Sequence, residues 1–132
     1  MKKPHILLVE DNEQNRYLAT FLLERNGHIV IHAPDGPAGL DLAVREHFDL
    51  VLLDIHMPVM DGVEAIGHIR ASSEDWCDVP VIALTADAMS GDRERYLGMG
   101  MDDYISKPID ARELATRYVR LLKGRKRDAD AA

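Results

Sequence analysis

The sequence predicts a doubly wound α/β domain, a parallel sheet with helices on both faces. Three observations predict it. Short apolar runs alternate five times with longer amphipathic stretches. The clearest runs, such as Ile6 to Val9 and Leu50 to Leu53, are unbroken, as strands buried on both faces are. Glycines and capping residues punctuate the stretches between the runs. Strands that alternate with helices in this way form parallel sheets, joined by right-handed crossovers.

The elements follow in order. Ile6 to Val9 reads as the first strand, and Asp11 and Asn12 are loop and N-cap candidates. Leu18, Phe21 and Leu22 then repeat at helical spacing, and Gly27 stands where a helix-closing glycine belongs. Ile29 to Ile31 is the second strand. Gly39 to His47 is the second helix, with Leu40, Ala43 and Val44 on one face. Leu50 to Leu53 is the third strand and ends on Asp54. Gly62 to Ala71 is helical, and Val81 to Leu84 is the fourth strand. A helix from Met89 to Leu97 is closed by Gly98 or Gly100. Tyr104 to Ser106 is a short fifth strand. The last helix, Arg112 to Lys123, places Leu114, Tyr118, Leu121 and Leu122 on one stripe.

Composition bounds the function. The chain has 132 residues, 46% apolar and 30% charged, which fits one folded domain over 1–123. The tail 124–132, GRKRDADAA, has no large apolar residue and is expected to be disordered. Its basic cluster Arg125-Lys126-Arg127 is followed at once by Asp128 and Asp130, so it reads as a solvated helix terminus. A net charge of −7 argues against direct binding of nucleic acid. The single cysteine, Cys77, can form no internal disulfide, which suits a reducing cytoplasm. Apolar runs fall far short of the ~20 residues that a membrane span needs. Met1-Lys2-Lys3-Pro4 leads straight into a strand without a signal-peptide pattern.

The chemistry-bearing residues stand at strand ends. Strand one ends in Glu10-Asp11, strand three in Asp54, strand four in Thr85-Ala86 and strand five in Lys107-Pro108. Open α/β sheets bind ligands outside these carboxyl ends. If strands one, three, four and five are neighbours, the side chains converge at one edge. Carboxylates ~5 Å apart repel by about 3 kcal/mol per pair at an effective dielectric of ~20. Such a cluster needs compensation, and an oxygen-rich site with few protein ligands suits Mg²⁺, which also binds phosphate. Lys107 offsets one of the three negative charges, and Mg²⁺ would offset the other two. An aspartate carboxylate is a known nucleophile toward phosphoryl groups. Taken singly, each residue has an ordinary explanation as a cap, a turn or a packing residue. Their order at successive strand ends is the specific signal.

With these motifs in place, the chain resembles the receiver domains of bacterial response regulators. The stretches ILLVEDN (6–12), DLVLLDIHMPVMDG (49–62), VIALTA (81–86) and DYISKP (103–108) carry the resemblance, which covers about Pro4 to Lys123. It implies a CheY-like, flavodoxin-like sheet in the order 2-1-3-4-5. It implies that Asp54 is the phosphoacceptor and that Glu10, Asp11, Asp54 and the backbone carbonyl of His56 hold Mg²⁺. Thr85 and Lys107 would contact the phosphoryl oxygens, and Tyr104 would be the rotating aromatic of the switch. The Lys107–Pro108 bond would be cis. The implied partners are a histidine kinase or histidine phosphotransfer protein and a downstream protein target. Neither nucleic acid nor membrane is implied. The acidic pair is Glu-Asp rather than Asp-Asp, and DNEQN is similar to stand-alone receivers and to those of hybrid histidine kinases.

Two other classes share parts of this pattern. An Asp-nucleophile phosphohydrolase usually has a second Asp two residues after the nucleophile, where this chain has His56, and it needs a cap domain. A flavodoxin-like cofactor carrier wants a phosphate-cradling loop after strand one, where this chain has the acidic EDNEQN. The expected role is therefore signalling rather than metabolic catalysis.

The resemblance also implies that His56 and Asp87 flank the approach of the water that hydrolyses an aspartyl phosphate. A protonated His56 would pair with Asp87 or the phosphoryl group and occlude that water. Dephosphorylation is expected to run faster at about pH 8 than at about pH 6, the range over which histidine titrates. The check is loss of the phosphoryl group across this range in the wild type and in His56→Asn. A profile unchanged by the substitution assigns the lifetime to Mg²⁺ and Thr85 instead.

Overall fold

The computed structural model describes residues 5–55, 62–71, 79–85, 92–107, 110, 112–117 and 120–121. In chain order the elements are β1 (His5–Val9), α1 (Glu13–Arg25), β2 (Ile29–Ala33), α2 (Gly36–Arg45) and β3 (Leu50–Asp54). They continue as α3 (Gly62–Ala71), β4 (Val81–Thr85), α4 (Asp92–Gly98) and β5 (Asp103–Ser106). Helical residues 112–117 and 120–121 form α5. The strands pair in parallel in the order β2-β1-β3-β4-β5, as expected.

Every residue of β3 and β4 is buried, because helices cover both sides of the sheet centre. Strand alternation divides the core into two layers. Leu7, Val9, Val51, Leu53, Val81 and Ala83 face Ala43 of α2, Ile66 and Ile69 of α3, and Tyr96 of α4. Ile6, Leu8, Leu50, Leu52, Ile82 and Leu84 share the other layer with Ala19 and Leu23 of α1 and Leu114 of α5. This division decides which way each strand-end side chain points.

Three helix readings need correction. In α1 the inward pair is Ala19 and Leu23, whereas Leu18 is 48% and Phe21 61% exposed. Ala19, Leu22 and Leu23 have the same three-and-four spacing one residue along, and spacing alone cannot choose between the two stripes. In α2, Ala43 is buried but Val44 is exposed. That helix also runs from Gly36 to Arg45 rather than from Gly39 to His47. Asp35 caps it, its carboxylate accepting from the Ala38 N–H at 2.8 Å, and Pro37 sits in the first turn, where its missing N–H costs nothing. Gly27 and Gly100 close α1 and α4 with φ of 89° and 106°, which decides for Gly100 over Gly98. Leu114 and Leu121 of α5 face the core, while Tyr118, Leu122, residues 86–91 and the tail from 124 lie outside the described residues.

At the far edge of the sheet, Arg70 of α3 ties three segments together. Its guanidinium donates to Gly100 O at 2.7 Å, to Val79 O at 2.7 Å and to Asp102 Oδ2 at 2.9 Å. Asp102 Oδ2 also accepts from the Val81 N–H, which fixes the start of β4. Arg70→Met keeps the aliphatic stem and removes all three donors. A loss of about 2 kcal/mol in unfolding free energy is expected from urea titration. A midpoint equal to wild type would show that water replaces the guanidinium at no cost.

Candidate functional site

Glu10 follows β1, Asp54 ends β3, Thr85 ends β4 and Lys107 follows β5. Parallel pairing brings all four to one edge, and the register sets Val9 beside Leu53, Asp54 beside Leu84, and Thr85 beside Ser106. Alternation then fixes direction. Glu10 continues the series of Ile6 and Leu8, Asp54 that of Leu50 and Leu52, and Lys107 that of Ile105, all toward α1 and α5. Thr85 continues the series of Val81 and Ala83, toward α3 and α4.

The first group forms a charge cluster. Lys107 Nζ lies 3.0 Å from Glu10 Oε2 and 3.0 Å from Asp54 Oδ2. Glu10 is 2% exposed and Asp54 is 1% exposed. The second oxygen of Glu10 accepts from the Asn12 N–H at 3.1 Å, and Asn12 in turn caps α1 through Asn15. Arg16 reaches back from α1 to the carbonyl of Glu10 at 3.1 Å. The acidic loop is thereby fixed from both ends. Asp11 is exposed, and one oxygen each from Glu10, Asp11 and Asp54 lies within 4.8 Å of the others. Converging carboxylate oxygens from three residues fit a small, hard divalent cation.

Burial pulls the Lys107 pKa down, but hydrogen bonds and charge from Asp54 and Glu10 outweigh it, and the net shift is upward. A raised pKa means that the ammonium contributes its stability in full below the ordinary lysine value. That contribution is lost as the pH climbs through the raised value. At neutral pH Lys107 is a cation shared between the Glu10 and Asp54 carboxylates.

The second group is aromatic. Tyr104 of β5 is partly buried, and Arg117 of α5 lies 5.7 Å from its ring centroid. Arg117 also donates to the buried Asp103 at 2.6 Å, a bond that raises the pKa of the arginine further. Tyr96 of α4 is 1% exposed, and its hydroxyl donates to Thr85 Oγ1 at 3.3 Å. Sequence reasoning passed over Tyr96. An aromatic in an amphipathic helix reads as packing, and only the placement of α4 against β4 reveals its polar contact.

The residues singled out from the sequence therefore come together as Glu10, Asp11, Asp54 and Lys107, with Thr85 on the other face of the same edge and Tyr104 farther back along β5, beside Ala83. His56, Asp87 and Pro108 lie outside the described residues.

Comparison with known proteins gives a consistent result. The family model described as the response regulator receiver domain matches residues 6–119. Sensor protein GacS of Pseudomonas syringae pv. syringae is 42% identical over 116 residues, which cover 86% of this chain and 13% of that protein. The chain thus spans a small part of that relative. The polar-differentiation response regulator DivK of Brucella ovis is 40% identical over 124 residues, covering 94% of this chain and 97% of DivK. The receiver domain of sensor histidine kinase PA1611 from Pseudomonas aeruginosa PAO1 superposes with a TM-score of 0.81 at 41% identity, over 90% of this chain and 97% of that one. That structure has a magnesium ion coordinated in its active site cleft.

Removing the ammonium exposes what it compensates. Lys107→Met leaves two buried carboxylates facing each other and is expected to cost about 3 kcal/mol in the absence of divalent cations. Urea unfolding in chelator measures this. A midpoint unchanged from wild type would show that the carboxylates do not depend on Lys107.

Proposed function

Since the chain belongs to the response regulator receiver domain family, we propose that Asp54 accepts a phosphoryl group from a phosphohistidine and that the modified domain switches its binding to a downstream protein. The observation that carries this reading is the Asp54 carboxylate itself. It sits at the end of a central strand, with a lysine ammonium at 3.0 Å and two further acids beside it.

An oxygen of Asp54 attacks the phosphorus in line. The P–O bond forms as the P–N bond breaks, and the electron pair leaves with the imidazole nitrogen of the donor. Lys107 already bonds Asp54 and follows the negative charge as it spreads onto the phosphoryl oxygens. Glu10, Asp11, Asp54 and the carbonyl of His56 would hold Mg²⁺, which supplies positive charge against those oxygens. The magnesium in the PA1611 receiver supports that assignment. Thr85 turns toward the new oxygens, and Tyr104 follows into the space it leaves, changing the surface of α4, β5 and α5.

The donor is a histidine kinase or a histidine phosphotransfer protein, in keeping with the GacS and DivK relatives. The exchange is assigned to the cytoplasm. In support, no helix among the described residues is long and apolar enough to cross a membrane. His56 and Asp87 are assigned to the lifetime of the phosphoryl group.

Incubation with acetyl phosphate and Mg²⁺, followed by intact mass measurement, tests the nucleophile. The wild type should gain one phosphoryl mass and Asp54→Asn none. A normal gain in Asp54→Asn would falsify the assignment. Mg²⁺ at a hundred times its Kd should add about 2.7 kcal/mol of stability, and Asp11→Ala should lose most of that increment. A wild-type melting curve indifferent to Mg²⁺ would remove the metal from the site.

A further inference from the structure

Thr85 begins on the wrong face for its task. The carboxylate, the ammonium and Glu10 point toward α1 and α5, whereas Thr85 shares the layer of Val81 and Ala83 under α3 and α4. There it meets Tyr96. The phenol oxygen lies 3.3 Å from Thr85 Oγ1 and 3.2 Å from the guanidinium of Arg95. Arginine has only donors, so the phenol oxygen accepts from Arg95 and directs its single proton to Thr85.

The ring cannot follow a moving threonine. It is 1% exposed within the core, Arg95 lies 5.1 Å from its centroid, and Tyr104 packs against it at 5.9 Å between centroids with a 55° tilt. At 3.3 Å the hydroxyl–hydroxyl bond is already long, beyond the usual range of about 2.5–3.0 Å. A shift of Thr85 toward Asp54 therefore breaks it.

We propose that Tyr96 is a positioning residue that holds Thr85 on the α4 face in the unphosphorylated domain and sets the threshold for switching. The proposal rests on Asp54 being the phosphoacceptor. It adds a direct line from Thr85 to α4, separate from the movement of Tyr104. Tyr96 opposes the active state by about one net hydrogen bond, roughly a fivefold bias. A ligand that needs the active state binds more weakly by the same factor, because its apparent affinity scales with the fraction of competent molecules.

The test is titration of ¹⁵N-labelled protein with beryllofluoride, an anion that mimics the phosphoryl group, at saturating Mg²⁺. The half-saturating concentration is read from amide resonances. Tyr96→Phe keeps the ring and removes the hydroxyl, and its midpoint should fall about fivefold below wild type. In a Thr85→Val background the same substitution should change nothing, since the bond is already absent. Equal midpoints with Thr85 intact overturn the proposal. So does a shift that persists in the Thr85→Val background, which would assign the effect to ring packing. If Tyr96→Phe is too unstable to titrate, the wild type still decides the matter. The ¹³Cζ resonance of Tyr96 must move on saturation, and a stationary signal overturns the proposal. A wild type that shows neither a saturable response nor a phosphoryl mass gain sinks the reading of Asp54 and this proposal with it. A normal wild-type response that Tyr96→Phe leaves unaltered sinks the latch alone.

Discussion

Lys107 bridges two buried carboxylates, and the sheet is arranged so that it can. Its ammonium sits 3.0 Å from both Glu10 and Asp54, each almost fully buried. The three residues come from β1, β3 and β5, separated along the chain but carried to one edge by parallel pairing. An antiparallel neighbour would send its carboxyl end to the opposite edge. Alternation must also agree in all three strands, since a slip of one residue would turn a side chain to the other face. The unbroken apolar runs of β1 and β3 secure that register. Burying one leucine contributes about 2 kcal/mol, while two carboxylates ~5 Å apart repel by about 3 kcal/mol at an effective dielectric of ~20. A few buried residues per strand are enough to hold the charges where they are.

The strand that leads to Lys107 is held by fewer backbone bonds than the central strands. β5 is an edge strand, paired with β4 on one side. Charge holds it at both ends. Asp103, at its start, is buried and bonded to Arg117 of α5, and Lys107, just past its finish, is bonded into the carboxylate pair. Tyr104 lies between these anchors, with Arg117 against its ring. A change in charge on Asp54 acts on the second anchor directly. It is felt by a strand with one ladder of backbone bonds instead of two, cheaper to displace than the central strands. Arg70 restrains the opposite end of the same region by fixing Gly100 and Asp102, just before β5 begins.

What was legible in the sequence follows from the same physics. Strands buried on both faces write continuous apolar runs, so β1, β3 and β4 were found nearly to the residue. Residues that leave a parallel strand at its carboxyl end can be paired without knowing the loops, so Glu10, Asp54 and Lys107 were legible as one cluster and Thr85 as a neighbour at the same edge, though not its opposite face. The inward face of α1 was not, because Leu18 and Phe21 form as regular a stripe as Ala19 and Leu23. The run Ile29 to Ile31 marks a strand but not its place in the sheet, and Ile29 is 40% exposed because β2 is the other edge strand. Tyr96 was invisible for a deeper reason. Its partner is eleven residues away, across a connection whose geometry no local pattern encodes.

That contact bears on how a charge event becomes a surface event. The sheet separates two environments at one edge. On one face stand the charges, and on the other stand Thr85, Tyr96 and Tyr104. A phosphoryl group on the first face has no direct route through the packed strands to the second. On the proposed reading Thr85 links them, because its side chain stands at the end of β4 and can turn past the sheet edge. Its β-branch limits it to a few discrete rotamers, so the link has separate positions rather than a continuous range. On the proposed reading, a hydroxyl bonded to a fixed phenol in one position and to a phosphoryl oxygen in another would be a two-state element. The aromatic rings beside it, 5.9 Å apart between centroids, would then convert the choice between those positions into the packing of α4 against β5.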